Sequence, residues 1–292
     1  MKSDFVVLFG MSIELPEAQI LGEQMREVLV GKVAESYDVK DYDKLIKIGF
    51  MNKNLNDYKA LIGRKVEAVI YRGNVDVVKF DRGMNLAISP EYGGIVSYTA
   101  RGDTPNYHFR LRFKDGSALT VRLTSMGGVV ALDDEKLVDS YMYKRDFGDV
   151  PSPLDEDFTS SRFQELLSVK NRMLKSVLVG KDAVIIGLSN ATYQDAIYRA
   201  GLHPKRKASS LNEDESRLLY DSIIGILNER LRLGGKEKFQ DLHGVKGGYV
   251  AAMGPHMKKE NCPKCGSPIE GIAHGGGKVY LCPICQPLTK NK

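Results

Sequence analysis

Short alternating apolar runs between about residues 32 and 132, helical spacing after residue 159, and a C-x2-C-x16-C-x2-C pattern near the end predict an α+β chain of several domains. The expected order is an N-terminal antiparallel β-sandwich with a leading helix, then a helical domain, then a small C-terminal β-hairpin stapled by cysteines. The chain has 292 residues and a hydrophobic fraction of 42%, enough for a sizeable core. No stretch approaches the length of a membrane span, so no membrane partner is expected. The run Phe5-Val-Val-Leu-Phe9 is too short and too poorly flanked for a secretory signal, which makes the cytoplasm the expected location.

Residues 13–30 read as the leading helix: Pro16 suits a first turn, Glu14 and Glu17 sit near the positive end, and Leu21, Met25, Val28 and Leu29 recur at helical spacing. The strand candidates are 66–71, 75–80, 84–88, 94–98, 107–113, 118–122 and 129–132, with Asp115-Gly116 a hairpin turn. Strands this short and closely spaced suggest a sandwich or barrel. A Pro-containing linker around Asp149–Leu154 precedes helices at 159–167, 171–179, 190–200, 212–233 and a further candidate at 236–242. Ser210 or Asn212 is the expected cap of the fourth helix, and Asn190 opens the third.

All four cysteines, Cys262, Cys265, Cys282 and Cys285, fall in the last part of the chain. Two residues between paired thiols let both sulfurs of a knuckle point at one tetrahedral ion. Residues 268–272 and 278–281 alternate like hairpin strands, and Gly275-Gly276-Gly277 supplies the turn. Two disulfides or free core thiols are the alternatives, but a chain without a secretory signal or any other cysteine favours one zinc ion. Four thiolates leave no open position, so the expected Zn2+ is structural.

Net charge is +5, and its distribution matters more than its size. Lys170, Arg172, Lys175, Lys181, Arg199, Lys205, Arg206 and Lys207 face only Asp182 and Asp195 in their stretch, and the tail adds six lysines against Glu260 and Glu270. Such runs are ordinarily solvated faces, yet two of them point to a polyanion, with nucleic acid the natural candidate.

Three stretches in order carry a family resemblance: Glu14-Leu-Pro-Glu17, Gly187-Leu-Ser-Asn190 continuing to His203-Pro204, and the cysteine knuckles ending Cys282-Pro-Ile-Cys-Gln286. Together they resemble the formamidopyrimidine-DNA glycosylase and endonuclease VIII family of base-excision repair proteins. The resemblance implies a glycosylase-like sandwich at 13–135, a linker at 136–158, a helix–two-turn–helix domain at 159–245 and a zinc finger at 246–292, with residues 1–12 an extension (a tag or a mis-called start). It also implies a monomer binding double-stranded DNA that carries a damaged base or abasic site, in a cleft between domains. Asn190 and Lys175 match the family's phosphate-gripping asparagine and lysine; a plain helix cap is the other reading of Asn190.

The same resemblance exposes departures. The family's nucleophile is an N-terminal proline whose secondary amine attacks the sugar. Here that position is Ile13, preceded by Ser12, so its nitrogen is an amide. An amine at Ser12, exposed if Met11 were the initiator, lies displaced by roughly 3.5 Å, too far for in-line attack. The hairpin lysine becomes Asn74, the gap-filling methionine becomes Tyr92, the Arg-Arg-Phe-Gly loop becomes Ser125-Met-Gly-Gly128, and the finger arginine becomes Gly277 with Lys278 beside it. Tyr92 and Met126 remain candidate wedges, because aromatic and apolar side chains unstack base steps. Glu14 matches the family's proton-transfer glutamate, or else it only satisfies a helix terminus; Glu17 fits the latter role. The expectation is therefore a DNA-binding repair protein whose proline-type lyase chemistry is weak or absent. The alternatives are a monofunctional hydrolytic glycosylase using Glu14 and a catalytically silent DNA-binding protein.

Overall fold

The computed structural model describes residues 13–47, 51–90, 93–124 and 127–288. The extension 1–12, and with it the expectation for its residues, lies outside this range, as do Tyr92 and Met126. The chain forms two compact units, Met1–Gly148 with Leu233–Gly248, and Asp149–Arg232 with Tyr249–Lys292.

The first unit opens with helix α1 (Leu15–Leu29), capped by Glu14 and carrying Pro16 in its first turn as expected. Strand β1 (Ala34–Val39) and two short helices, α2 (Tyr42–Lys47) and α3 (Asn56–Lys59), follow. Then come β2 (Val66–Arg72), β3 (Val75–Phe80), β4 (Met84–Ser89), β5 (Ile95–Thr99), β6 (Phe109–Phe113), β7 (Ala118–Arg122) and β8 (Gly128–Asp133), each within a residue or two of its expected span. They build two four-stranded antiparallel sheets, ordered β1-β6-β7-β5 and β2-β3-β4-β8. Leu21, Met25 and Leu29 of α1 join Val78, Leu86, Ile88, Phe109, Leu111 and Val121 in one apolar core. Strand β1 and the short helices escape the sequence reading because Ala34-Glu-Ser-Tyr-Asp-Val39 is half exposed and carries too few apolar residues to show a period.

Strand β4 is buried along its whole length, because its sheet is covered on both faces. The second face carries Val75, Val77 and Ala87 under Leu137, with Met142, Tyr143 and Phe147 packed alongside. These come from α4 (Asp134–Asp139) and α5 (Tyr141–Asp146), two helices in the stretch expected to be linker. Asp133 and Ser140 cap them by accepting from the backbone N–H groups of Lys136 and Tyr143. The α5 terminus also holds the β2–β3 turn: the Asp146 carboxylate accepts from the Asn74 N–H at 3.0 Å and pairs with Arg145 at 2.7 Å. Gly73 is required there, since a Cβ would lie 2.5 Å from the Asp146 carboxyl carbon and its φ is +61°.

Helix α1 approaches the second sheet closely at Gly22. A Cβ on that residue would sit 2.3 Å from Cδ1 of Tyr71 and 2.8 Å from Oδ1 of Asp76. Gly22→Ala is therefore expected to lower stability by about 1–2 kcal/mol through overpacking, read as a lower urea midpoint at unchanged slope.

The segment 233–248 belongs with this unit rather than with the helical domain expected to run to residue 245. No helix forms at 236–242; the chain instead turns back on itself, Gly247 N–H donating to Phe239 O and Gly248 N–H to Leu233 O. Glycine pairs at both ends outweigh the apparent helical spacing.

The second unit contains α6 (Ser160–Ser168), α7 (Leu174–Leu178), α8 (Asn190–Arg199) and α9 (Glu213–Arg232), followed by a hairpin of β9 (Glu270–His274) and β10 (Gly277–Leu281). Asn212 caps α9 in a reciprocal pair with Glu215, at 2.8 and 3.0 Å. The hairpin register pairs Gly277 with His274, so the turn is the two residues Gly275-Gly276, and Gly277 is a strand residue rather than part of the turn. Both turn glycines have positive φ, as a tight two-residue turn demands.

Candidate functional site

The four cysteines converge. Their sulfurs all lie within 4.8 Å of one another, and none is disulfide-bonded. Cys262 and Cys285 are 3.8 Å apart and Cys265 and Cys282 3.4 Å, close to the roughly 3.8 Å edge of a tetrahedron with metal–sulfur bonds of about 2.3 Å. Burial pushes the Cys262 thiol up, but the Tyr198 hydroxyl and the N–H groups of Lys264 and Cys265 outweigh it and hold it at about 6. Its neighbour Cys285 is pushed up to about 12, first by sharing a hydrogen with Cys265 and then by burial. Four thiols this close ionise together only around a cation, and an all-sulfur set suits a structural zinc.

Helix α8 carries this cluster. Tyr198 Oη lies 3.2 Å from Cys262 Sγ, and Tyr198, Met253, Tyr280 and Cys282 form a small apolar core with it. Gln194 accepts from the Tyr280 N–H at 2.8 Å, and Gln286 bridges Cys282 N–H and Leu202 O at 3.0 and 2.8 Å. Asp195, buried at 1% exposure, receives Arg199, the Tyr249 hydroxyl and the Ala252 N–H, which pins the chain entering the knuckles. Gln194 and Tyr198 are one helical turn apart on α8, a spacing visible in the sequence, but their partners are not.

Three residues singled out separately in the sequence meet at the hairpin turn. Lys175, on α7, donates to His274 O at 2.8 Å. Its aliphatic stem packs against the turn so closely that a Cβ on Gly275 would lie 2.9 Å from it. Asn190 donates from Nδ2 to Lys278 O at 3.2 Å, and its buried Oδ1 has no hydrogen-bond partner among the described residues. Ser189, not Asn190, is the N-cap of α8, its hydroxyl accepting from the Ala191 N–H at 3.1 Å. The exposed Lys278 side chain lies across Gly271 and the Tyr280 ring. Burial lowers the Lys175 ammonium below its usual range. Burial and then the charges of Lys175 and Lys205 lower His274. Positive charge is thus crowded here, and an anion would relieve that cost. His274 is a member of this group that no sequence motif announced.

In the first unit Ile13, Glu14 and Glu17 are all buried, at 3%, 0% and 0% exposure. Glu14 and Glu17 form a capping box, with the Glu14 N–H donating to Glu17 Oε2 at 3.2 Å. Glu17 Oε1 also accepts from the Lys236 N–H at 3.1 Å, and Lys236 Nζ lies 3.9 Å from Oε2 of both glutamates. Lys236 was not a candidate in the sequence, where it reads only as part of Gly234-Gly-Lys-Glu-Lys238.

A family model for the formamidopyrimidine-DNA glycosylase H2TH domain matches residues 150–240. Formamidopyrimidine-DNA glycosylases of Bacillus licheniformis and Bacillus cereus are 29% and 27% identical to the chain, covering 94% of it and 98% and 99% of those proteins. Over nearly its whole length the chain is similar to formamidopyrimidine-DNA glycosylases. Solved family structures agree in fold: a complex of Lactococcus lactis Fpg with abasic-site DNA superposes with a TM-score of 0.78 at 23% identity, covering 94% of this chain and all of that one. A MutM complex with DNA containing carbocyclic 8-oxo-G gives 0.76 at 25% identity, with 94% and 100% covered.

Proposed function

We infer that this protein is a base-excision repair protein that binds double-stranded DNA at a damaged base or abasic site, holding the phosphates beside the lesion with Lys175, Asn190 and Lys278 and keeping that surface in place with one structural zinc. The observation that carries this reading is the meeting of Lys175, Asn190 and the hairpin turn, three elements far apart in sequence, around a crowded positive site. A phosphate is the anion that this donor set suits: an ammonium, a carboxamide and nearby helix-terminal N–H groups. The zinc would contribute only by fixing the hairpin against α8, since no coordination position is left for substrate. Relatives solved with damaged or abasic DNA support the choice of ligand.

In this reading proline-type attack is weak or absent, because the matching position is Ile13, whose nitrogen is the amide of the Ser12–Ile13 bond and whose side chain is in the core. The capping box gives Glu14 and Glu17 a structural role that stands without catalysis.

Binding of a fluorescent duplex bearing a tetrahydrofuran abasic analogue, measured by anisotropy across a salt series, tests the reading. Asn190→Ala and Lys175→Ala are each expected to weaken binding about tenfold, and Lys175→Ala to lower the salt slope by about one. Affinities equal to the unsubstituted protein at every salt concentration would remove this group from the interface.

A further inference from the structure

The outer face of the first sheet carries a cavity that the DNA reading does not use. In the edge strand β5 and its neighbour β7, Val96, Leu119 and Val121 belong to the core, so Ser97, Thr99, Thr120 and Arg122 stand on the opposite face. Register places Ser97 opposite Thr120 and Ile95 opposite Arg122. The return segment after α9 is pinned along the edge of β5. The Tyr98 N–H donates to Leu242 O at 2.9 Å, and the Leu242 N–H donates to Gln24 Oε1 at 2.9 Å. These strands, the loop at Asn106 and the stretch from Gln240 to Gly244 line a cavity of about 310 Å³. That is the small end of the range for ligand pockets.

The lining is polar but carries no acid. Hydroxyls come from Ser97, Thr99 and Thr120 and carboxamides from Asn106 and Gln240, while among the described residues no Asp or Glu lines it. The Arg122 side chain has no hydrogen bond or ion pair among the described residues. Asp241, between two lining residues, is committed elsewhere. Its Oδ1 accepts from the His243 and Val245 N–H groups and its Oδ2 from Gln24 Nε2. The charge of Arg122 is felt nearby: burial lowers His108 below its usual range against the pull of Asp41, and Arg122 and Lys44 lower it further.

We propose that this cavity binds a free nucleoside monophosphate, with Arg122 on the phosphate and the carboxamides and hydroxyls on the base and sugar. A guanidinium without a carboxylate partner takes a phosphate in its fork, and the charge-assisted pair is among the stronger hydrogen bonds. Asn106 and Gln240 each offer a donor and an acceptor side by side, the pattern of a nucleobase edge. Ile95, Pro105 and Leu242 offer apolar surface to a ring. A bare phosphate would leave those groups unused, and a nucleic-acid strand would exceed the volume. The site lies within the first unit, whereas Lys175 and Asn190 belong to the second, so it stands independently of the DNA reading.

Deoxyguanosine 5′-monophosphate titrated into the full-length protein by calorimetry, with amide chemical-shift mapping, tests the proposal. Saturable binding is expected, with shifts centred on 95–99, 120–122 and 240–244. Arg122→Ala should weaken it at least about tenfold and Arg122→Lys by less. Thr99→Phe, which fills the cavity, should abolish it at an unchanged melting temperature, and Lys175→Ala should leave it unaltered. Inorganic phosphate and deoxyguanosine should each bind at least about tenfold more weakly than the nucleotide. Phosphate binding as tightly as the nucleotide would make this a bare anion site and overturn the proposal. So would the absence of saturable binding, insensitivity to Arg122→Ala, or a single-stranded oligonucleotide that competes as well as the monophosphate. Tetrahydrofuran-duplex affinity should be equal in Arg122→Ala and the parent; a shared loss would place Arg122 in the DNA interface and overturn the proposal while leaving the DNA reading intact.

Discussion

Stripping the metal, or replacing Cys282 with serine, should abolish tight binding to abasic DNA and release the hairpin while leaving the first unit folded. The reason lies in what the hairpin can bury. Strand β9 has no buried residue, and among the described residues the apolar cluster around the knuckles has five buried members, two of them cysteines. So small a core does not sustain a fold by itself, and apparent zinc affinities of about 10–16 kcal/mol are what comparable modules rely on. The consequence extends past the hairpin, because His274 O and Lys278 O are the acceptors that position Lys175 and Asn190. Metal analysis should find about one zinc per chain, and chelation should weaken tetrahydrofuran-duplex binding by more than about 100-fold at fixed salt. Hydrogen exchange should lose protection at 270–281 and keep it across β3 and β4. A metal-free preparation that binds DNA at full strength, with the hairpin protected, would contradict the cysteine reading.

The second large effect is expected at Asp76, and its sign is opposite to that of most carboxylates. Asp76 lies within β3 at 0% exposure, and neither carboxylate oxygen has a hydrogen-bond partner among the described residues. Burial pushes its carboxyl well above the usual range. The folded state therefore keeps a proton that the unfolded chain gives up near pH 4. Between that pH and the raised folded value the native state binds more protons, so stability falls as pH rises and is greatest on the acid side of the window. Asp76→Asn keeps the shape and removes the ionisation. It should stabilise the protein by about 2–3 kcal/mol at pH 8, raising the melting temperature by roughly 5–10 °C, and should have little effect near pH 4. The variant-minus-parent difference is the quantity to measure across pH, since acid would also release a metal held by the cysteines in both proteins. A difference that does not change with pH would show that Asp76 is not the titrating group.

Much of the fold was legible because it depends on short-range pattern. Period-two runs located β2 to β8, and turn signals such as Asp115-Gly116 separated them, because each strand shows its pattern within a few residues. The knuckles were legible because ligand spacing is a local property. What was missed had weak or conflicting local signal. Helices α4 and α5 are short and charged and became visible only through Leu137, Met142 and Phe147 covering the outer face of β3 and β4. The stretch 236–242 has helical spacing, yet folds as a return loop because Gly235 and Gly247 let the chain pack where side chains would clash, and Gly234 and Gly235 take positive φ.

The cysteine cluster shows the same division. Its four cysteines, and the hairpin between them, are determined by the sequence alone, since spacing and residue type suffice. That Tyr198 supports Cys262, that Lys175 and Asn190 share the hairpin's carbonyls, and that Lys236 lies between Glu14 and Glu17 were decided only by the tertiary structure. Glu17 and Lys236 are 219 residues apart. Their contact depends on where the chain returns after α9, and that path is set by glycine-permitted backbone packing and core burial, which leave no periodic trace in the residues that meet.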